Sequence, residues 1–142
     1  MDWKRELINI RQEAENTARQ EAEAIARENA EGLLKRVDAL KNLREMLKYM
    51  LGGVGRIETL RKQDKYEIIL VLSWNGPLHH PEPPAPKAKN RNLIFVGVDE
   101  KSVYVNHKPL EMITADALQE ALLGVARMIL KNEKDEQEGN KD

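Results

Sequence analysis

The first thirty residues have the pattern of one long helix with a short apolar seam. Residues 2–31 contain neither Pro nor Gly and are rich in Ala, Glu, Arg and Gln, which favour helix. Asp2 stands where a side chain can cap the first turn. The bulky residues recur at spacings of 4, 3 and 4, a heptad seam two heptads long. The seam consists of Trp3, Leu7, Ile10 and Ala14.

Alanines continue the apolar side of this helix at steps of four residues: Ala14, Ala18, Ala22, Ala26 and Ala30. Such a ridge lets another helix approach closely but buries little apolar area. The candidate residues for self-association are therefore Trp3, Leu7, Ile10, Ala14 and Ala18. Two alternatives stay open at this point: this end packs on its own domain, or it docks on a different protein.

A charged stripe runs beside the alanines with alternating sign: Arg11, Glu15, Arg19, Glu23, Arg27 and Glu31. Residues four apart on a helix are neighbours, so the stripe predicts five successive ion pairs. Each such pair contributes roughly 0.2–0.5 kcal/mol to an isolated helix. The stripe is therefore expected to support a helix that has no deep core of its own.

A second apolar stripe, in a different heptad phase, follows Gly32: Leu33, Val37, Leu40, Leu43, Leu47, Met50 and Leu51. Because Gly in a helix interior costs about 1 kcal/mol relative to Ala, the change of phase predicts a kink or short break at Gly32. The second helix is predicted to end at Gly52-Gly53 in a left-handed cap.

Four strands are predicted in the middle of the chain: 55–62, 65–74, 93–98 and 102–106. The turn between the first two falls at Gln63-Asp64. On the second strand, one face carries Tyr66, Ile68, Leu70, Leu72 and Trp74, and the other carries Ile69 and Val71. Apolar residues on both faces indicate a central strand that is covered on both sides, or covered on one side by a partner subunit.

Five of the six prolines lie between the second and third strands, within residues 75–92. Proline supplies no N–H to a ladder, so this segment is predicted to be an exposed, mobile loop. Lys87, Lys89 and Arg91 at its end are the expected sites of first proteolysis. After the strands, Thr114 caps a last helix whose buried stripe is Leu118, Leu122, Val125 and Ile129.

These elements predict an α+β fold with a long N-terminal helical arm, a second helix, a four-stranded antiparallel meander and a C-terminal helix. The arm occupies residues 1–32, the α+β domain 33–131 with its loop at 75–92, and a polar tail 132–142.

Composition narrows the classes of function. Charged residues make up 33% of the 142 residues, yet they nearly cancel to a net charge of −1. The longest apolar run is five residues, too short to cross a bilayer. The N-terminus lacks the basic-then-apolar layout of a signal peptide. Cysteine is absent, which excludes disulfides and thiolate chemistry, and a cytoplasmic location is expected.

Charge is nevertheless uneven along the chain, because residues 33–65 hold nine basic and four acidic residues. Ordinary solvated Lys and Arg explain most such segments. The functional alternative is nucleic-acid binding, in which strand aromatics stack bases. The basic candidates are Lys35, Arg36, Arg56, Arg61, Lys62 and Lys65, and the aromatic ones are Tyr66, Trp74, Phe95 and Tyr104.

No local motif supports catalysis, a metal or a cofactor. Ser73 and Ser102 lie in no nucleophile elbow, and His79-His80 project in opposite directions in an extended chain. The glycines of Gly52-Gly53-Val54-Gly55 follow a helix and precede a strand, the reverse of a dinucleotide fingerprint. We therefore expect no catalytic residues, no metal site and no cofactor.

The favoured interpretation is a self-associating dimeric adaptor or assembly module that binds another protein and no membrane, with nucleic-acid binding as the alternative.

Overall fold

The computed structural model describes residues 2–85 and 91–139. Three α-helices are present: α1 (Trp3–Arg36), α2 (Ala39–Glu45) and α3 (Ala115–Gly139), with a single π-helical turn at Met46–Met50 after α2. Five strands form one sheet: β1 (Arg56–Gln63), β2 (Tyr66–Asn75), β3 (Arg91–Val98), β4 (Val103–Val105) and β5 (Lys108–Pro109). The α+β class predicted from the sequence is confirmed.

The sheet is an antiparallel meander in which each strand pairs with the next along the chain. Leu70 lies opposite Val96, and Val96 lies opposite Val105, so the buried positions of three strands align. The sequence predicted four strands, and β5 is the addition. Asn106 and His107 both have left-handed backbones, with φ of 46° and 70°. Two such residues make a tight hairpin turn, which folds Lys108 back to pair with Val105.

One face of the sheet forms the core. Its apolar side chains come from β2, β3 and β4: Ile68, Leu70, Leu72, Trp74, Ile94, Val96, Val98, Val103 and Val105. The helices cover this face with Ala30, Val37, Ala39, Leu43, Leu118 and Leu122. All of these side chains are buried, so the helices and the sheet share a single hydrophobic core.

The predicted break at Gly32 is wrong, because α1 runs through it to Arg36. Ala30 is fully buried and Leu33 packs against the core, so tertiary packing outweighs the low helix propensity of glycine. The chain instead turns at Asp38, whose backbone is left-handed with φ of 51°. The buried Asn42 side chain donates to the Val37 carbonyl at 3.1 Å and fixes this turn.

The end of the second helical segment agrees with its prediction. Gly52 and Gly53 have φ of 62° and 83°, the left-handed conformation expected of a helix cap. The Gly53 N–H donates to the Leu47 carbonyl at 2.8 Å, which satisfies a carbonyl at the end of the π turn. The following hairpin turn lies at residues 64–65, one residue beyond the position predicted for it.

The described part of the proline-rich loop is held by several contacts. Asn75 and Glu82 form a short bridge, and Leu78 packs against the core. The Leu78 N–H donates to both carboxylate oxygens of Glu133, at 3.1 and 3.2 Å. Glu133 belongs to α3, which continues as helix to Gly139 and so includes most of the predicted polar tail. Lys87 and Lys89 lie outside the described residues, whereas Arg91, predicted to lie in the loop, is the first residue of β3. The mobility of the loop stays a prediction.

Two glycine substitutions test the packing of the sheet. A Cβ at Gly97 would lie 2.8 Å from the Tyr66 ring, whereas a Cβ at Gly32 would meet nothing within 4 Å. Gly97→Ala is therefore expected to lower the free energy of unfolding by about 1–3 kcal/mol. Gly32→Ala, the matched control in a helix, is expected to raise it by up to about 1 kcal/mol. Urea denaturation of both variants measures the difference, and equal stability of the two would contradict this packing.

Candidate interaction surfaces

The N-terminal arm is a helix whose outer part is exposed to solvent along its whole length. The Asp2 carboxylate caps it by accepting from the N–H groups of Lys4 and Arg5, at 3.1 and 3.3 Å. Every residue from Trp3 to Ile25 is exposed, a length of about 35 Å at 1.5 Å per residue. The first buried residue of the helix is Ala26.

The seam is exposed along with the rest of this outer part. Trp3, Leu7 and Ile10 have 67%, 46% and 61% of their surface in contact with solvent. The small residues Ala14 and Ala18 are exposed as well. The alternative in which this end packs on its own domain is therefore wrong for the described residues. The seam is a surface that the isolated chain leaves open.

The charged stripe is used differently from the prediction. Arg11 and Glu15 do pair, with Nε and Oε1 3.1 Å apart. Glu23 and Glu31, in contrast, pair across to the β1–β2 hairpin: Glu31 lies 3.4 Å from Arg61, and Glu23 lies 3.7 Å from Lys62. The C-terminal half of the charged stripe therefore connects α1 to the sheet through ion pairs.

A second surface lies on the face of the sheet opposite the core, which we call the outer face. Its apolar side chains are Leu60, Ile69, Val71, Leu93 and Phe95. Leu93 is 48% exposed, and Leu60, Val71 and Phe95 are half-buried. Ile69 is buried, and the helices of the described chain pack on the core face, so none of these helices covers the strip. The prediction that β2 is apolar on both faces is confirmed, and the helices of the described residues cover one of those faces.

Arg91 crosses one end of the outer face. Its Nη2 donates to Ser73 Oγ at 2.9 Å and lies 3.7 Å from Glu58 Oε1. Glu58 also pairs with Arg56 at 3.0 Å, so one carboxylate lies between two guanidinium groups. These residues come from three different strands, and only the pairing register brings them together. Sequence reasoning had no local signal that could find this group.

Aromatic rings gather at the other end of the outer face. Tyr66 lies 5.3 Å from Tyr104 and 5.9 Å from Phe95, with edge-to-face geometry in both pairs. The Phe95 and His107 rings meet edge to face at 4.7 Å. Lys65 Nζ lies 4.1 Å from the centre of the Tyr104 ring. These contacts define an aromatic cluster of Tyr66, Phe95, Tyr104 and His107.

Tyr66 was predicted to share a face with Ile68, and that prediction is wrong. Its ring packs with the aromatic cluster instead of the core, in the space that Gly97 leaves. The hairpin end contains two left-handed residues, Lys62 and Asp64, with φ of 50° and 54°. The alternation of side chains between the two faces is lost through such a turn. Tyr66, the first residue of β2, therefore does not lie on the face that alternation predicts.

A hydrogen bond of 2.9 Å joins the Tyr66 hydroxyl to Nδ1 of His107. Burial raises the pKa of Tyr66 above 10.0, and the nearby Tyr104, Asp64 and Asp99 raise it further. The Tyr66 hydroxyl therefore keeps its proton at neutral pH. This bond fixes the left-handed His107 against the sheet.

Asp99 organises the turn between β3 and β4. Its Oδ1 accepts from the N–H groups of Lys101 and Ser102, at 2.8 and 2.7 Å, and its Oδ2 accepts from the Tyr104 hydroxyl at 3.1 Å. Partial burial raises the pKa of Asp99, but these hydrogen bonds, with a smaller contribution from Lys65, outweigh it. The net pKa lies below the ordinary value of 3.8.

The six basic candidates within residues 33–65 do not form one surface. Arg61 and Lys62 pair with acidic groups of α1, and Arg56 pairs with Glu58 on the outer face. Lys65 lies over the aromatic cluster, while Lys35 and Arg36 occupy the last turn of α1. Of the proposed stacking aromatics, Trp74 is fully buried in the core. The cations are therefore spread over several elements, and three of the six candidates already have a carboxylate partner.

Within residues 2–85 and 91–139, no three acidic or histidine side chains are close enough together to bind a metal ion. No helix in this part of the chain combines the length and hydropathy that a bilayer crossing needs.

Comparisons with protein-family models, with curated proteins and with solved structures return no match to this chain.

The Asp99 turn makes a prediction about pH. A lowered pKa in the folded state means that the carboxylate stabilises the fold above the unfolded pKa of about 3.9. That stabilisation is lost as pH falls through the lower folded pKa. Asp99→Asn is therefore expected to cost about 1 kcal/mol at pH 7 and progressively less below about pH 4. Urea denaturation of both proteins across this range is the measurement. A difference in stability that stays constant with pH would contradict the assignment.

Proposed function

We propose that this chain is a self-associating protein-interaction module, an adaptor or assembly factor without catalytic activity. The observation that carries the proposal is the exposed seam of Trp3, Leu7, Ile10 and Ala14 at the free end of a long helix. A reducing compartment such as the cytoplasm suits a chain that contains no cysteine.

The physical argument begins with the cost of leaving the seam in water. Burying one large apolar side chain is worth roughly 1.5–3 kcal/mol, and a symmetric pair of arms buries each residue twice. The arm is already helical and anchored at Ala26, so association does not have to nucleate a helix. A homodimer through a short coiled coil is the simplest arrangement that uses both features.

We assign the binding of another protein to the outer face of the sheet. Its centre is an apolar strip of Leu60, Ile69, Val71, Leu93 and Phe95, and Arg91 and Glu58 border one end. An apolar centre with a polar rim is the usual anatomy of a protein interface. Leu93 is the most exposed member of the strip, so it is the residue through which a partner would gain most contact.

Self-association is tested by a double substitution in the seam. Leu7→Glu with Ile10→Glu is expected to convert a dimer to a monomer, because it places four carboxylates in the paired seam. The helices and sheet should stay folded, since neither residue contacts the domain. Ile8→Glu is the matched control, because Ile8 is 56% exposed but lies off the seam. Light scattering over a concentration series measures the mass, and a monomeric unmodified protein would refute the proposal.

Nucleic-acid binding is the alternative, and a salt series separates it from the proposal. Phosphate contacts release counterions, so such binding weakens steeply between about 50 and 200 mM salt. We expect no binding to single- or double-stranded DNA or RNA, because the candidate cations are dispersed and partly paired. Fluorescence anisotropy at about 50 mM salt is the measurement. Tight binding that is lost when Arg61, Lys62 and Lys65 are replaced by Glu would favour the alternative.

A further inference from the structure

The charges beside the seam differ between its two flanks. With Leu7 and Ala14 at heptad position a, and Trp3 and Ile10 at position d, the e positions hold Lys4 and Arg11. The g positions hold Glu6 and Glu13. One flank of the seam is therefore basic and the other acidic, and all four side chains are exposed.

This division distinguishes the two ways in which two such arms can pair. In a parallel pair, each g residue meets an e residue of the partner five positions further along. Glu6 of one copy then meets the partner's Arg11, and the same contact recurs by symmetry. In an antiparallel pair, g meets g and e meets e. Glu6 would then lie beside the partner's Glu13, and Lys4 beside the partner's Arg11.

We propose that two copies pair through their arms in parallel and in register, with Glu6 of each copy paired to the partner's Arg11. This inference rests on the proposed self-association and adds its geometry. The apolar seam supplies the attraction, and the flanking charges select the orientation, as opposite charges at e and g do in coiled coils generally.

The anchoring of the arm leaves room for this arrangement. The helix contacts its own domain through Ala26, Ala30 and Val37. At 100° per residue, the centre of that contact lies roughly 150° around the helix from the seam. Each domain therefore lies on the side of the helix that faces away from the partner. Within the described residues Arg11 pairs with Glu15, at 3.1 Å, and most of its side chain remains exposed.

A single cysteine tests the orientation, because the chain has none of its own. In a parallel pair, Ala14→Cys places two thiols opposite each other at an a position, and air oxidation is expected to give a disulfide-linked dimer. In an antiparallel pair, Leu7 faces the partner's Ile10, and the two substituted positions lie about 16 Å apart along the axis. That separation is far beyond the span of a disulfide. Asn9→Cys, on the opposite side of the helix, is the control for random collisions.

Charge reversal at Glu6 is an independent test, because the two orientations predict opposite changes in the affinity of the dimer. In a parallel pair, Glu6→Lys sets lysine against the partner's Arg11 at two symmetric sites, and the dimer is expected to weaken about fivefold. In an antiparallel pair, the new lysine would meet the partner's Glu13, and the dimer would tighten. Adding Arg11→Glu to the variant is expected to recover most of the lost affinity.

Light scattering, run on the same proteins, separates the two proposals. A monomer at every concentration would overturn the self-association itself. A dimer that gives no disulfide at position 14 and is tightened by Glu6→Lys would overturn only the parallel orientation. A disulfide-linked dimer with the Asn9 control unlinked, together with weakening by Glu6→Lys, supports both.

Discussion

The contact of Ala26 and Ala30 with the body of the protein determines the shape of this molecule. Both side chains are buried, and their small size brings the backbone of the helix close to the structure beneath it. Because Leu33 and the capping residue Val37 continue that contact into the core, the last turns of α1 are packed while the first two thirds are exposed. This anchoring on one side of the helix leaves the seam exposed. It also places the domain on the side of the helix that faces away from the seam.

Electrostatic pairing within the chain accounts for much of its uneven charge. Residues 33–65 hold nine basic and four acidic residues, whereas residues 1–32 hold five basic and eight acidic ones. In the structure they meet, since Glu31 pairs with Arg61 and Glu23 with Lys62. These pairs are solvent-exposed, so each contributes at most about 1 kcal/mol. Their role is to align the helix with the hairpin, while the apolar core supplies most of the stability.

Sequence reasoning recovered the features that local physics decides. Periodicity located the helices and strands, and the paired glycines gave the left-handed end of the second helical segment. The errors fall where tertiary contacts overrule local preference. Helix α1 passes through Gly32 because Ala30 and Leu33 are buried, and the chain turns at Asp38 because Asn42 binds the Val37 carbonyl. A single sequence contains neither of these contacts as a pattern.

The candidate surfaces also differ in how far local sequence patterns predict them. The seam was predictable because it lies on one helix, where spacing alone determines which side chains share a face. The outer face was anticipated only as an apolar second side of β2. Its polar end joins Arg91, Ser73 and Glu58 from three strands, and Tyr66 joins the aromatic cluster after a turn with two left-handed residues. Strand register and backbone handedness had to be known before either group could be recognised.

Because α1 is unbroken, one continuous helix connects the seam to the turns that pack on the sheet. The geometry of that helix therefore fixes the direction of the seam relative to the sheet. Each residue inserted between Ile10 and Ala26 would move the seam by 1.5 Å along the axis and by 100° around it. A seven-residue insertion would return it to within about 20° of its original direction. The number of residues in the arm therefore fixes both a distance and an angle. Its length in residues sets how far the seam lies from the sheet along the helix axis and the direction in which the seam points relative to the sheet.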